Sequence, residues 1–180
     1  TLALNDIPIP PTTITENPEH AEAALKEYGS AVLKPLFTSK ARGMVLFPRN
    51  GDSARLTVEK YNQKNDIIYI QQMIELSGMD LGIVFLGGEY LTTYARKKSK
   101  ADSWNTTTAS GGEYVPFDPD PSIISLAKKA QEPFGLSFTC VDVALTPNGP
   151  YVFEVSAFGG FRGITETSDI DPAGIYVDHV

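Results

Sequence analysis

The sequence predicts an α+β fold built mainly on antiparallel sheet. Strand-length runs of apolar or alternating residues outnumber helical patterns. Neighbouring runs are joined by short turn segments, as in hairpins. There is no internal repeat and no low-complexity segment.

The elements follow in order. Pro8, Pro10 and Pro11 make an extended lead-in, because proline fixes φ and biases the residue before it away from helix. Asn17 as N-cap, Pro18 at the first helical position and Gly29 as a stop delimit a helix with Ala21, Ala24, Leu25 and Tyr28 on one face. Ser30 to Lys34 reads as a buried strand. The polar loop from Thr38 to Gly43 leads to a second strand, Met44 to Phe47. Asp52 to Lys64 is amphipathic and helical, and Ile67 to Gln71 is a strand. Leu81 to Leu86, Gly87-Gly88 and Tyr90 to Tyr94 form the clearest hairpin. The polar stretch Lys97 to Gly112 is too long for a simple turn and invites a functional reading. Pro121 to Gln131 is a helix. Phe138 to Leu145 and Tyr151 to Val155 are strands joined around Asn148-Gly149, followed by a glycine-rich loop from Ser156 to Gly163. Both ends read as cuts. The chain opens on Thr1, and Ile170, Ile175, Val177 and Val180 read as a helix still running.

Composition narrows the function classes. The 180 residues are 42% apolar and 21% charged, which is globular, and the net charge is −7. An acidic chain with no basic stripe argues against a nucleic-acid partner and against an anionic membrane surface. No apolar run approaches the roughly 20 residues that span a bilayer. The lone Cys140 cannot form an internal disulfide, and a cytoplasmic location is the default. His20 and His179 form no metal pair. Trp104, with Tyr94 upstream, reads as packing or as a stacking surface.

Two residue sets carry chemistry. A two-residue Asn148-Gly149 turn would set Asp142 opposite Val155 and send Asp142 and Glu154 to opposite faces. Pro147 and Pro150 flank that turn and cannot donate ladder hydrogen bonds, which favours a five-residue loop from Thr146 to Pro150. That loop sets Asp142 directly across from Glu154, with Cβ atoms within about 5.5 Å. Two readings stand: a solvated pair of surface acids, or a carboxylate pair for a divalent cation such as Mg²⁺, which takes oxygen ligands. The second set is Lys34, at the end of Ala31-Val32-Leu33. It either snorkels to water or meets an anion beside a loop whose amides could fold over phosphates. The spacing is not that of a P-loop.

The order of these parts resembles the ATP-grasp ligases, and within them the RimK-like group. The likeness lies in Ile7 to Thr12, Ala31 to Phe37, Tyr69 to Ile74, Gly78-Met79-Asp80 and Gly87-Gly88-Glu89. It continues in Val141-Asp142-Val143, Phe153 to Ala157 and Asp169 to Gly174. The resemblance implies an ATP-grasp core of two α+β subdomains clasping a nucleotide. Residues 1–74 would be the smaller subdomain and 75–180 the larger, with a further N-terminal domain upstream. It implies an ATP-dependent ligase forming C–N bonds. A carboxylate, phosphorylated by ATP, would be attacked by an amine such as an amino acid, with ATP and Mg²⁺ as cofactors and oligomerisation left open. Lys34 would meet the nucleotide phosphates under a lid comprising Ser39, Lys40, Arg42 and Gly43. Gln71, Gln72, Met73 and Ile74 would be the hinge against adenine, and Asp80 would lie near the ribose. Asp142 and Glu154 would hold Mg²⁺, with Ser156 at the position of the third ligand.

The chain also departs from the family pattern. Asp80-Leu81-Gly82 lacks an expected arginine, and Ser156 stands where an asparagine is usual. Asn105-Thr106-Thr107 lacks the expected Arg-x-Asn, and Ser110 precedes Gly111-Gly112 in place of a basic residue. Lys97, Lys98 and Lys100 read equally as a solvated loop or as compensating phosphate contacts. Arg162 is the better candidate to meet the acceptor substrate, and Arg96 the weaker. A catalytically degenerate nucleotide-binding protein of the same fold is the alternative. A β-rich binding module with no nucleotide is the third class.

Overall fold

The computed structural model describes residues 1–38, 41–49, 53–98, 106 and 111–180. Ser39, Lys40, Lys100, Trp104 and Asn105 lie outside the described residues. The chain divides into two compact units, residues 10–74 and residues 1–9 with 75–180. The expected smaller subdomain, residues 1–74, differs from the smaller unit by its first nine residues. These belong to the larger unit, where the Val152 amide donates to the Pro8 carbonyl at 2.8 Å and Ile7 joins the core.

The smaller unit is a four-stranded antiparallel sheet in the order β1-β4-β2-β3 with two helices on one face. Its strands are β1 (Thr12–Thr15), β2 (Ala31–Lys34), β3 (Val45–Phe47) and β4 (Ile68–Gln72). Helix α1 (Pro18–Tyr28) starts where Asn17 accepts from the Glu19 and His20 amides and ends at Gly29, as its caps predict. Helix α2 is Ala54–Asn62. Ala31, Leu33, Ile68 and Ile70 point to the helices and pack with Leu25, Val58 and Tyr61. Strand alternation therefore turns Val32, Lys34, Tyr69 and Gln71 to the opposite face. Strand β1 has no apolar run of its own; its pairing with β4 makes it a strand.

The larger unit is a five-stranded antiparallel sheet in the order β7-β6-β5-β8-β9. The strands are β5 (Met79–Leu86), β6 (Glu89–Lys97), β7 (Glu113–Pro116), β8 (Phe138–Thr146) and β9 (Gly149–Ser156). Helix α3 (Pro121–Gln131) packs Ala127 and Ala130 against Leu81, Ile83, Phe85, Val141, Val143 and Val152. The short helix α4 (Arg162–Thr167) and α5 (Pro172–His179) belong to the opposite face, with Val84, Tyr94, Phe138, Cys140 and Ile164. The helix expected at the C-terminus is α5, capped by Asp171; Val177 and Val180 are exposed and not part of a packed stripe. Among the described residues no helix is long and apolar enough to cross a membrane.

Both hairpins contain a register shift. At β5–β6 the turn glycines Gly87 and Gly88 have φ of 59° and 81°, the left-handed pair a tight hairpin requires. Leu86 pairs with Glu89, but a shift between Val84 and Phe85 brings Asp80 opposite Arg96. At β8–β9 the expected five-residue loop is not formed. Thr146 pairs with Gly149 across a two-residue turn at Pro147-Asn148, held by Thr146 Oγ1, which donates to the Gly149 carbonyl at 2.7 Å. Pro150 is tolerated because β9 is an edge strand. A shift between Asp142 and Val143 then restores the expected pairing of Asp142 with Glu154. The expected partners are right, and the device that aligns them is a bulge, not a longer loop.

Candidate functional site

In the larger unit one row of side chains crosses four strands on the α4/α5 face. Tyr94 on β6, Gly82 on β5, Asp142 on β8 and Glu154 on β9 are successive Cα partners. Asp80, two residues before Gly82, shares the face and is paired with Arg96. Period-2 alternation sends Leu81, Val141 and Val143 to the α3 core, so the polar residues collect on one side.

Gly82 makes room for the Tyr94 ring in the middle of this row. A Cβ there would lie 2.5 Å from the Tyr94 ring, and one on Gly163 of α4 would meet the same ring at 2.5 Å. Tyr94 is thus held between two glycines, and its hydroxyl reaches Cys140 Sγ at 3.4 Å. The Cys140 thiol in turn points to Asp142 Oδ1 at 3.7 Å. Burial pushes the Cys140 thiol up to about 12, so it stays protonated and can donate. Burial also raises the Tyr94 phenol far above its ordinary range.

Arg96 organises the charges. Its Nε donates to Asp80 Oδ2 at 3.0 Å, its Nη2 contacts the same oxygen, and Nη2 also lies 2.9 Å from Asp142 Oδ2. Asp80 is 4% exposed, and its second oxygen, Oδ1, is buried with no hydrogen-bond partner. Burial drives the Asp142 carboxyl up to about 6; Arg96 opposes this, while the Asp80 and Glu154 charges add to it. Burial works against the Arg96 charge, but Asp142 and Asp80 outweigh it and hold the guanidinium protonated. Glu154 is exposed and accepts from Ser156 Oγ at 2.8 Å. Among the described residues no three His, Cys, Asp or Glu converge as a metal cage. Two opposed carboxylates with a hydroxyl beside one of them nevertheless form an oxygen-only donor set. That set fits an ion such as Mg²⁺, which takes one or two protein carboxylates and completes its shell from water or phosphate.

The two arginines singled out from the sequence are placed differently. Arg96 is the one brought to Asp142. Arg162 is exposed at the start of α4, pairs through Nε with Glu166 Oε1 at 2.6 Å and lies 5.8 Å from the Tyr114 ring. Sequence reasoning gave Tyr94 packing or stacking but did not set it opposite Gly82, because the shift at Val84/Phe85 is invisible in the turn residues. The signal that could have found it is Gly82, a glycine inside a strand, which often marks close approach.

In the smaller unit Lys34 Nζ donates to Gln71 Oε1 at 2.5 Å and lies 6.0 Å from the Tyr69 ring centre. Gln71 Nε2 donates to Thr12 Oγ1 at 3.2 Å, and Thr12 Oγ1 donates to the Pro10 carbonyl at 2.7 Å. The chain of contacts crosses β2, β4 and β1. The amides of Gln72 and Met73 are committed to the carbonyls of Pro11 and Ser30, at 2.8 and 2.9 Å. In the loop before β3, Arg42 and Gly43 are exposed, and Thr38 Oγ1 donates to the Arg42 carbonyl at 2.7 Å.

A model of the RimK-like ATP-grasp domain matches residues 1–180, and the chain belongs to that family. It is 29% identical over 182 residues to a probable alpha-L-glutamate ligase of Maridesulfovibrio salexigens, covering 99% of this chain and 60% of the relative. It is 28% identical over 175 residues to the ribosomal protein bS6–L-glutamate ligase of Salmonella paratyphi B, covering 96% of this chain and 58% of that one. The chain thus spans about 60% of the length of the curated relatives it matches. Among solved structures, the ATP-grasp ligase PsnB complexed with a precursor variant, Mg and ADP has a TM-score of 0.72 at 19% identity. That match covers 99% of this chain and 55% of PsnB. The fold is that of the ATP-grasp ligases.

Proposed function

We propose that this chain is the ATP-grasp core of an ATP-dependent carboxylate–amine ligase of the glutamate-ligase type. The observation that carries the reading is the direct opposition of Asp142 and Glu154, with Ser156 beside Glu154, in a chain of this family. Relatives named as glutamate ligases and a PsnB structure holding Mg and ADP support it. ATP would supply the phosphoryl group that activates a carboxylate, and Mg²⁺ would neutralise charge on the phosphates. Transfer of the γ-phosphoryl to the carboxylate oxygen releases ADP; attack of an amine on the carbonyl carbon then expels phosphate and forms the C–N bond.

The chain's own residues have these roles in the proposal. Asp142, Glu154 and Ser156 would hold the cation. Gln71 aims the Lys34 ammonium at phosphate oxygens, and Arg42 and Gly43 belong to the loop that covers them, with Ser39 and Lys40. The Gln72 and Met73 amides are already used, so adenine at the proposed hinge of Gln71, Gln72, Met73 and Ile74 would not meet those two. Asp80 acts through Arg96, and Arg162 faces the acceptor. We also propose a cytoplasmic location for the reaction.

Calorimetric titration with ATP and Mg²⁺ tests the nucleotide reading: saturable heat supports it, and no heat sinks it. ADP release should rise when amino acids and small carboxylates are added. A flat response over a broad panel, with ATP still binding, favours the second reading, a nucleotide-binding protein that has lost catalysis. The departures at Gly82 and Ser156 from the family's arginine and asparagine favour that second reading.

A further inference from the structure

We infer that Arg96 is a displaceable internal counterion: it occupies Asp142 when no divalent cation is bound and withdraws wholly onto Asp80 when one is. The inference rests on the reading of Asp142 and Glu154 as the cation's carboxylates.

Three observations carry it. First, Arg96 engages Asp80 through one oxygen only, with Nε and Nη2 both on Oδ2. A guanidinium and a carboxylate normally pair as two parallel forks, one nitrogen to each oxygen. Second, the other oxygen, Asp80 Oδ1, is buried and unpartnered, on a residue 4% exposed. An orphaned buried acceptor is unfavourable by about 1–3 kcal/mol, so one kept in a native structure calls for an explanation. Third, the Nη2 that a two-pronged pair would need is the one shared with Asp142 Oδ2, at 2.9 Å. Moving Nη2 to Asp80 Oδ1 completes the fork, satisfies the orphan and frees Asp142 Oδ2.

The groups facing Asp142 fit this exchange. Cys140 offers a thiol to Oδ1, Glu154 faces it from β9, Asp80 and Arg96 from β5 and β6, and Tyr94 reaches it only through Cys140. Among these, Arg96 is the cation. Without it, two carboxylates and Glu154 would repel with nothing to offset them, which is unfavourable in a half-buried place. Arg96 therefore holds the acids together in the absence of metal and competes with the metal for Asp142. Arg96 and Asp80 are positioning residues: they act on the cation through Asp142.

Competition has a signature that a structural role lacks. Cation binding and the Arg96–Asp142 contact are negatively coupled, and such couplings are worth roughly 5–150-fold. Mn²⁺ binding is measured by the electron paramagnetic resonance of free Mn²⁺, and thermal midpoints are followed with and without Mg²⁺. Arg96→Met should lower the metal-free midpoint, tighten Mn²⁺ by about tenfold and enlarge the Mg²⁺-induced rise in midpoint. Asp80→Asn weakens the fallback partner, leaves Arg96 on Asp142, and should weaken Mn²⁺ several-fold. Opposite shifts in the two variants support the exchange. Weakened binding in both, or no change in either, overturns it and leaves Arg96 a structural tie. If Arg96→Met does not fold, Asp80→Asn decides alone: unchanged or tighter Mn²⁺ overturns the exchange. Absence of Mn²⁺ binding in the wild type, unaltered by Glu154→Gln, overturns the metal reading itself and with it the inference.

Discussion

Lys34 in one sheet and Arg96 in the other are basic side chains among polar partners, and the two sheets treat them differently. In the four-stranded sheet Lys34 meets the neutral amide of Gln71, which is tied to Thr12. That contact orients the ammonium through a neutral group. In the five-stranded sheet Arg96 meets two carboxylates, Asp80 and Asp142, while a third, Glu154, stands opposite Asp142. There the arginine's charge is spent inside the protein, and the set remains net negative. In one sheet the basic group is oriented by a neutral amide, in the other by carboxylates. In the proposed function the first arrangement would meet an anionic ligand and the second a metal ion.

The contrast can be broken by substitution. The largest effect is expected for Arg96→Met in the absence of divalent ions. Removing the only arginine of a buried cluster strands Asp80 and Asp142, and such losses run to about 3–5 kcal/mol. Denaturant midpoints measure it; a change below about 1 kcal/mol would show that the cluster is not the tie described.

The Asp142 carboxyl gives the contrast a pH dependence. Its folded value of about 6 lies above the ordinary 3.8, so the folded state binds the extra proton between those limits. Its contribution to stability is fully present below the ordinary value and is lost as pH rises through about 6. Metal-free thermal midpoints should fall over that window in the wild type and fall less in Asp142→Asn. Equal slopes would remove Asp142 as the cause.

A smaller effect is expected at Gly163→Ala. Its new Cβ meets the Tyr94 ring at 2.5 Å. The ring must shift, with overpacking of about 1–3 kcal/mol. The shift should also alter the Tyr94 fluorescence or hydroxyl environment next to Cys140.

On the neutral side, Gln71→Leu should lower stability by only about 1 kcal/mol, the worth of ordinary hydrogen bonds. It should nevertheless weaken Mg·ATP severalfold in calorimetry, because Lys34 loses its guide. Unaltered affinity would detach the relay from nucleotide binding. Least of all, Arg162→Ala should leave the unfolding midpoint unchanged, since its pair with Glu166 is exposed. Any loss should appear in turnover with an acceptor substrate instead.

Much of the fold was legible along the chain. Asn17, Pro18 and Gly29 marked α1 by local capping chemistry, and Gly87-Gly88 marked the β5–β6 turn by its need for positive φ. Strand β1, with the sequence Thr-Thr-Ile-Thr, and β7, ending in Pro116, escaped notice. Both are four-residue edge strands whose structure comes from a neighbour's ladder and not from their own pattern. Helix α4 escaped because six residues containing Gly163, after a glycine-rich loop, carry no cap or apolar period.

The site divides along the same line. The sequence by itself singled out Lys34, Asp142 and Glu154 as candidates for chemistry. The tertiary structure alone decided their alignment. A bulge at Val84/Phe85 sets Asp80 opposite Arg96, and a bulge at Asp142/Val143 sets Asp142 opposite Glu154 after a shorter turn than expected. Turn residues fix register only up to the first irregularity. Where a bulge falls depends on the partners packed on both sides of the sheet, and a one-residue shift turns a side chain to the other face.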